Sequence, residues 1–421
     1  MNGFKYIDLF AGAGGLSEGF IRAGFEPIAH VEMDAAACFT LRTRAAYHHL
    51  RSINKHDDYI AYLKGEITRN TLYDIIPSSI LESIINLPIG PEFNDEIQNQ
   101  IEKKIEKGHV DLIIGGPPCQ AYSLVGRARS KTGMKGDPRN YLYIHYASFL
   151  ERFKPTIFVF ENVIGLKSAG GGIYLRNMEK LFLEKGYNMK LFTVEANNFG
   201  VLQNRRRIII IGWKSDFPVI IPDIEEIKKS SNYKVINILA DLPKIYAGES
   251  SNKYLKYNSR TNEYLKQSHI RNGINVLTQH IARPHTKQDK EIYRIAVNKW
   301  NGSKQRLNYN DLPERLKTHQ NRESFSDRFK VVAADQPYSQ TVVAHIAKDG
   351  HYYIHPDIDQ NRSISIREAA RLQSFPDDYY FEGVKETANR TPAFKQIGNA
   401  VPPLMAYEIA LIIKKILCQL S

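Results

Sequence analysis

The residue of this chain best placed for chemistry is a cysteine at the exit of a short apolar run. Val110, Leu112, Ile113 and Ile114 lead into Gly115-Gly116-Pro117-Pro118-Cys119-Gln120, the pattern of a strand buried on both faces that ends in an abrupt turn. Ligands of open α/β sheets collect at the carboxyl ends of the strands, which is where Cys119 would sit. A free thiol is only a few per cent thiolate at neutral pH, with a reference pKa of roughly 8.5, so a nucleophilic Cys119 needs an electropositive setting. Free cysteines in general are packing residues; the flanks of this one point to a nucleophile. Two further groups could join it. A run at 155–160 ends in Glu161, a carboxyl that could serve as an acid or hydrogen-bond partner for a heteroaromatic ring beside the thiol. Gln203-Asn204-Arg205-Arg206-Arg207 enters another apolar run, and strand alternation turns Arg205 and Arg207 to one face.

The elements that must position these groups begin at the amino terminus. Residues 4–10 read as a strand, 11–15 as a glycine-rich turn, 16–23 as a helix and 27–31 as a second strand ending in Glu32, 20 positions after Gly12. Glycines let the backbone approach a ligand closely, and an acid at the tip of the second strand can accept hydrogen bonds from two ribose hydroxyls. The loop is therefore read as a nucleoside site. A dinucleotide fingerprint would need glycine where Ser17 stands, which counts against a nicotinamide or flavin cofactor. Further strands are predicted at 155–160, 190–194 and 207–212.

The remaining composition sets bounds. A chain of 421 residues, 43% hydrophobic, can hold two or three globular units. The net charge of +12 favours an anionic partner such as nucleic acid. Cys38, Cys119 and Cys418 are too few and too far apart for a disulfide framework or a metal site, so no metal is expected and the chain reads as a reduced, intracellular protein. The first ten residues lack the pattern of a signal peptide, and no apolar stretch approaches the roughly 20 residues of a membrane span.

Taken in order, residues 7–20, 111–123, 160–163, 203–207, 362–377 and 396–404 resemble the ordered blocks of the bacterial cytosine-5 DNA methyltransferases. The last two read Arg367-Glu368-Ala369-Ala370-Arg371-Leu372-Gln373-Ser374-Phe375-Pro376 and Gly398-Asn399-Ala400-Val401-Pro402-Pro403. The resemblance implies an α/β fold: a doubly wound, mostly parallel, Rossmann-like sheet with a second, smaller target-recognition domain. Residues 1–222 would form the catalytic domain with an insertion at about 48–108, residues 223–386 the recognition domain, and 387–421 a segment returning to the first. It also implies S-adenosylmethionine as methyl donor. Phe10, Ala11, Gly12, Ala13 and Gly15 would line its site, Glu32 would hold the ribose, Met33 would pack on adenine, and Pro118, Leu142, Asn399 and Val401 would complete the pocket. In a duplex DNA the cytosine must leave the stack. Cys119 would then add to carbon 6, Glu161 would bond ring nitrogen 3 and the exocyclic amine, Arg207 the ring carbonyl and Arg205 the neighbouring backbone. Residues 120–140 would form a loop with Gln120, Ser123, Arg127, Arg129 and Arg139 on the DNA. A monomer in the bacterial cytoplasm, with a cognate restriction endonuclease acting separately, completes the expectation.

The chain departs from that family in two places. Leu202 replaces the usual proline before Gln203. The third strand, which normally ends in an acid for the adenine amine, falls within the insertion, at 82–89 with Pro88 in the acid's place or at 65–68. Residues 95–107 read as a solvated charged helix, and Thr278-Gln279-His280-Ile281-Ala282-Arg283 as the start of the DNA-reading region. An RNA cytosine methyltransferase lacks support in Ala196-Asn197-Asn198-Phe199-Gly200, where the related transfer-RNA enzymes carry a cysteine. An inert DNA-binding protein would have no need of Cys119, Glu161 and Arg207.

Overall fold

Seven strands form one sheet whose order, β3-β2-β1-β4-β5-β7-β6, reverses direction of growth between β1 and β4. A computed structural model describes residues 3–105, 108–118, 137–218, 220–229, 232–249, 254–386 and 390–420 of the chain. The strands are β1 (Lys5–Leu9), β2 (Glu26–Val31), β3 (Ile84–Ile85), β4 (Leu112–Gly115), β5 (Ile157–Asn162), β6 (Tyr187–Glu195) and β7 (Arg206–Lys214). The pairs among β1 to β5 are parallel, and β7 runs antiparallel to both of its neighbours. The expected doubly wound, mostly parallel sheet is therefore present, and its order places a crevice at the carboxyl ends of β1 and β4.

Alternation along the strands divides the sheet into two apolar faces. Tyr6, Leu112, Ile114, Ile157, Val159, Ile209 and Ile211 pack under helices α1 (Gly15–Arg22) and, far along the chain, Pro403–Leu420. Ile7, Leu9, Ile113, Phe158, Phe160, Ile208 and Ile210 face the opposite layer. The closing helix meets α1 so closely that a Cβ on Gly19 would lie 2.4 Å from the Ala406 methyl and from the Tyr407 nitrogen. Only glycine allows the two helices to touch there.

The insertion supplies structure on both sides. Helix α2 (Ala35–Ser52) begins at Asp34, whose carboxylate accepts from the Ala36 and Ala37 amides, an N-cap that satisfies otherwise orphaned donors. Of the two placements for the third strand, the one within 82–89 is observed: Ile84 and Ile85 pair with His30 and Val31. At 65–68, by contrast, Gly65 ends one short helix and Thr68 caps the next. The helix expected to be solvated keeps its charged side in water and buries one apolar edge in the core. In α3 (Asn94–Ile105) the spacing of Ile97 and Ile101 puts both on one face, wholly buried against the second face of the sheet, because an i, i+4 apolar pair outweighs the charged residues between. That face also receives α4 (Leu142–Phe153) and α5 (Ile173–Glu184).

Beyond β7 regular structure is sparse. Helix α6 (Lys287–Ser303) opens with a Thr286–Asp289 capping box and carries a small core with Leu307, Tyr309 and Phe329. Helix α7 (Ile366–Leu372) opens with a second box, Ser365 and Glu368. Its arginines point inward. Arg371 bonds Asp241 and Asp377, both at 2.5 Å, and Arg362 bonds Glu368 at 2.7 Å. Burial alone would raise the Glu368 carboxyl, but Arg362 and His355 outweigh it and hold it well below the usual carboxylate range. Helices α8 (Arg390–Asn399) and α9 (Pro403–Leu420) complete the chain.

Two outcomes test these packings. Gly19→Ala should lose about 1–3 kcal/mol to overpacking between α1 and α9, read as a lower urea midpoint with unchanged slope. His30 and His280, pushed down to about 4 by burial, stay neutral in the fold and charge at ~6.5 when unfolded. Below pH 6.5 the unfolded chain therefore binds more protons. Stability should fall between pH 6.5 and 4, by roughly 2 kcal/mol per imidazole at pH 5, and His280→Gln should flatten that slope.

Candidate active site

The exits of β1, β2, β4 and β5 converge on one edge of the sheet. After β1 the chain turns sharply, with Phe10, Gly12 and Gly14 all at positive φ. The Ala11 amide donates to the Val31 carbonyl at 3.0 Å and the Gly14 amide to the Ala11 carbonyl at 2.9 Å. Glu32 closes this turn from the tip of β2: one carboxylate oxygen accepts from the Gly12 amide and the other from the Asp34 amide, each at 2.8 Å. Burial pushes the Glu32 carboxyl up, against the pull of those amides. The spacing of 20 residues between Gly12 and Glu32 thus becomes a direct bond.

Asn86, the residue leaving β3, was not anticipated. Its Nδ2 donates to the carbonyls of Glu32 and Met33, at 3.0 and 3.1 Å, and so fixes the tip of β2. Pro88 lies three residues past the end of the strand, beyond the place expected for the acid. The strand is only two residues long, too short for a periodic signal, and an asparagine just after an Ile-Ile pair was the one available clue.

The surroundings fit a nucleoside. A Cβ at Gly12 would meet nothing within 4 Å, so space is open above the loop. Met33 is 67% exposed, an apolar surface beside the glycine turn with Phe10 half-buried behind it. Gly15 is covered by the closing segment, where a Cβ would come 2.3 Å from the Val401 carbonyl oxygen. Asn399 is exposed and Val401 buried, Pro118 is exposed, and Leu142 opens α4 half-buried. Ala11 is buried, and Ala13 is buried with its carbonyl accepting from the Tyr379 hydroxyl.

On the other side of the crevice, Glu161 and Arg207 meet. Glu161 Oε1 lies 2.7 Å from Arg207 Nε, and both side chains are nearly buried. Antiparallel pairing of β5 with β7 sets them side by side, Glu161 opposite Ile209. Gly116, at the exit of β4, presses on this pair: a Cβ there would lie 2.8 Å from Glu161 Oε2. Gly116 is thus a steric requirement of the carboxylate, while Gly115 is required by the neighbouring strand, where a Cβ would lie 2.4 Å from the Leu9 carbonyl oxygen. Asn162 Nδ2 reaches back to the Pro117 carbonyl at 3.4 Å, so the turn that leads to Cys119 is tied to the strand carrying Glu161. Cys119 itself, with Gln120, Ser123, Arg127 and Arg129, lies outside the described residues. Arg139 is described and holds Asp137 through two bonds of 2.9 and 2.6 Å.

Arg205 requires a correction. It does not share the crevice-facing side of Arg207, and it is not placed to reach a bound nucleic acid. Its side chain is wholly buried, donating to the carbonyls of Val342 at 2.8 Å, Ala400 at 2.8 Å and Gly398 at 3.3 Å. Strand β7 starts only at Arg206, so strict alternation does not extend back to Arg205. Gln203 is buried beside it, bonding Leu372, Gln373 and the Val342 amide. The segment 278–283 is also not a reading surface. Thr278 and His280 are buried against Arg367 and Ser365 at the start of α7.

Comparison with known proteins follows this geometry. The model of the family described as C-5 cytosine-specific DNA methylase matches residues 4–76 and 82–415. The type II methyltransferase M.Bpa9945I of Bacillus paralicheniformis is 40% identical over an alignment covering 98% of both chains. M.DdeI, a type II methyltransferase of Desulfomicrobium norvegicum, is 32% identical over 96% of this chain and 87% of its own length. Among solved structures, an E. coli prophage protein described as a DNA modification methyltransferase superimposes with a TM-score of 0.64 over 99% of both chains at 24% identity, a likeness of fold.

The two arginines should separate in a stability assay. Arg205→Met strands three buried carbonyls and should cost about 2–4 kcal/mol. Arg207→Met, which removes one partner of a single nearly buried pair at the open edge of the crevice, should cost less, about 1–2 kcal/mol. Urea denaturation of both variants measures the difference.

Proposed function

The chain belongs to the C-5 cytosine-specific DNA methylases, and from that premise we propose how its residues divide the work of a type II modification enzyme. The protein is a DNA (cytosine-5-)-methyltransferase with S-adenosylmethionine as its methyl donor. When bound, S-adenosylmethionine supplies an electrophilic methyl group for carbon 5 of cytosine. Glu32 holds the ribose hydroxyls with the carboxylate that the Gly12 and Asp34 amides orient. Phe10 and Met33 offer apolar surface to the adenine, with Asn86 in the place where the family carries an acid. Gly12, Gly15, Pro118, Leu142, Asn399 and Val401 enclose the remainder.

The target cytosine is taken out of the duplex because its reacting carbons are stacked and unreachable in place. Cys119 adds as thiolate to carbon 6 while Glu161 delivers a proton to ring nitrogen 3 and accepts from the exocyclic amine, neutralising the charge that the addition creates. Arg207 orients Glu161 and faces the ring carbonyl. After methylation carbon 5 gives its proton to water, Cys119 departs as thiolate by elimination, and ring nitrogen 3 returns its proton to Glu161. The Glu161–Arg207 pair set against Gly116 carries this reading, because a carboxyl held by a guanidinium lies at the turn leading to Cys119. Residues 223–386 serve as the target-recognition domain, and Gln120, Ser123, Arg127, Arg129 and Arg139 reach the DNA. The protein works as a cytoplasmic monomer that protects DNA from a separate restriction endonuclease. No described helix is long and apolar enough to cross a membrane.

The test is transfer of labelled methyl groups to mixed-sequence duplex DNA, followed by bisulfite sequencing. Methylation of one short motif is the expected result; label in RNA alone, or in neither, would overturn the reading. Cys119→Ser should abolish transfer while leaving cofactor affinity intact. Glu161→Gln should lower the rate about 10²–10⁴-fold with little change in cofactor affinity, measured by single-turnover transfer and by calorimetry.

A further inference from the structure

Helix α6 carries a stripe of polar side chains that nothing in the protein answers. Its apolar positions Ile292, Tyr293, Ala296 and Val297 are buried in the small core with Phe329 and Ile354. At 3.6 residues per turn the opposite face holds Lys287, Lys290, Arg294, Asn298 and Asn301, all within roughly 80° of arc along about 21 Å of helix. Lys290 is half-buried and the others are exposed. Among the described residues no hydrogen bond or ion pair reaches any of these side chains. The carboxylates beside the stripe are engaged elsewhere, Asp289 in the capping box with Thr286 and Glu291 with Arg315 at 2.7 Å. The stripe is therefore basic at its start and amide-bearing at its end.

The order of charges runs against the stability of the helix. Cations favour the carboxyl end of a helix and are disfavoured in its first turn, where the macrodipole is positive. Helices α1, α2 and α3 follow that rule, with Arg22, then His49 and Arg51, then Lys103 and Lys104 in their last turns. Helix α6 reverses it: Lys287 and Lys290 open the helix, and its last turn has no basic residue. An anion laid along this face would offset both the lysine charges and the dipole. The helix is also firmly held. Arg283, just before the Thr286 cap, donates to the Ile346 carbonyl at 2.6 Å and lies over the Phe394 ring of α8, and α8 leads into the turn that covers Gly15. His285 bonds Ser363 at 3.0 Å. The stripe is thus presented outward by a helix whose other face is fixed to the elements that bear the site.

We propose that α6 lies in the major groove of the target DNA and reads part of the recognition sequence: Lys287 and Lys290 hold phosphates, while Arg294, Asn298 and Asn301 meet base edges. An α-helix fits the major groove, where arginine pairs with guanine O6 and N7 and asparagine with adenine N6 and N7, each through two hydrogen bonds. A protein partner would have to answer the cations with carboxylates and satisfy the amides separately. A duplex supplies phosphates and base edges together. The inference rests on the recognition role given above to residues 223–386. It moves part of that role onto a helix, because Thr278 and His280 in the segment ahead of it are buried.

Bisulfite sequencing of mixed-sequence duplex DNA methylated by the full-length protein gives the motif, and the same measurement on Arg294→Ala, Asn298→Ala and Asn301→Ala tests the reading. At least one of these variants should accept other bases at a motif position that the unaltered protein fixes, with discrimination there reduced about 5–150-fold. Lys287→Gln and Lys290→Gln should keep the motif and weaken binding alike on all sequences, each lowering the slope of log affinity against log salt by about 0.9. An unchanged motif in all the alanine variants, or an unchanged salt slope in both lysine variants, would overturn the docking of α6 and leave the enzymatic reading standing. Should an alanine variant transfer no methyl group, competition between the cognate duplex and duplexes altered at one motif position decides. A cognate preference equal to that of the unaltered protein then overturns the proposal, and loss of preference at one position supports it. Methylation of no motif by the unaltered protein would overturn both readings together.

Discussion

One buried guanidinium joins the parts of this protein that the chain keeps far apart. Arg205 sits just before β7 and donates to carbonyls at Val342, Gly398 and Ala400, which belong to the segment between α6 and α7, to the last turn of α8 and to the link between α8 and α9. A charge taken wholly out of water is stable only when its donors are met, so these segments hold one another in place. The turn that receives Arg205 also lays the Val401 carbonyl over Gly15. The position of the cofactor loop at residue 15 therefore depends on a bond made at residue 205 to a segment near residue 400.

The same edge of the sheet carries two kinds of electrostatic balance. At Glu161 the carboxyl is answered inside the protein by the Arg207 guanidinium, which holds it in one orientation beside the exit of β4. At Glu32 the answer comes from backbone amides, which fix direction without adding a full opposite charge. The first arrangement suits a group that must meet a polar ring and the second a group that must receive hydroxyl donors.

Much of the sheet was legible in the amino-acid order. β1, β2 and β4 to β7 announce themselves as apolar runs bounded by turns, and Glu32 and Glu161 were readable because each ends such a run. What stayed hidden followed from packing between distant segments. Arg205 and Arg207 look equivalent in a row of three arginines, and only the layer formed by residues 342 and 398–400 decides that one is buried. Ile97 and Ile101 were obscured by the lysines and glutamates around them, although their spacing held the signal. Thr278 and His280 have the polar character of a reading loop, yet they complete the hydrogen bonding of α7. Residues with donors and acceptors serve equally well inside, once a partner is fixed for each.

The contact of α1 with α9 has a consequence for how the protein folds. The sheet face under Tyr6, Leu112, Ile157 and Ile209 is shared by Leu16 and Phe20 of α1 with Ile409, Ile413, Ile416 and Leu417 of α9, segments that most of the sequence separates. Contacts between such distant segments form slowly, because the intervening chain must first be brought together. Until α9 docks, part of this apolar layer faces water beside the glycine turn, and the layer closes only when the two distant helices meet.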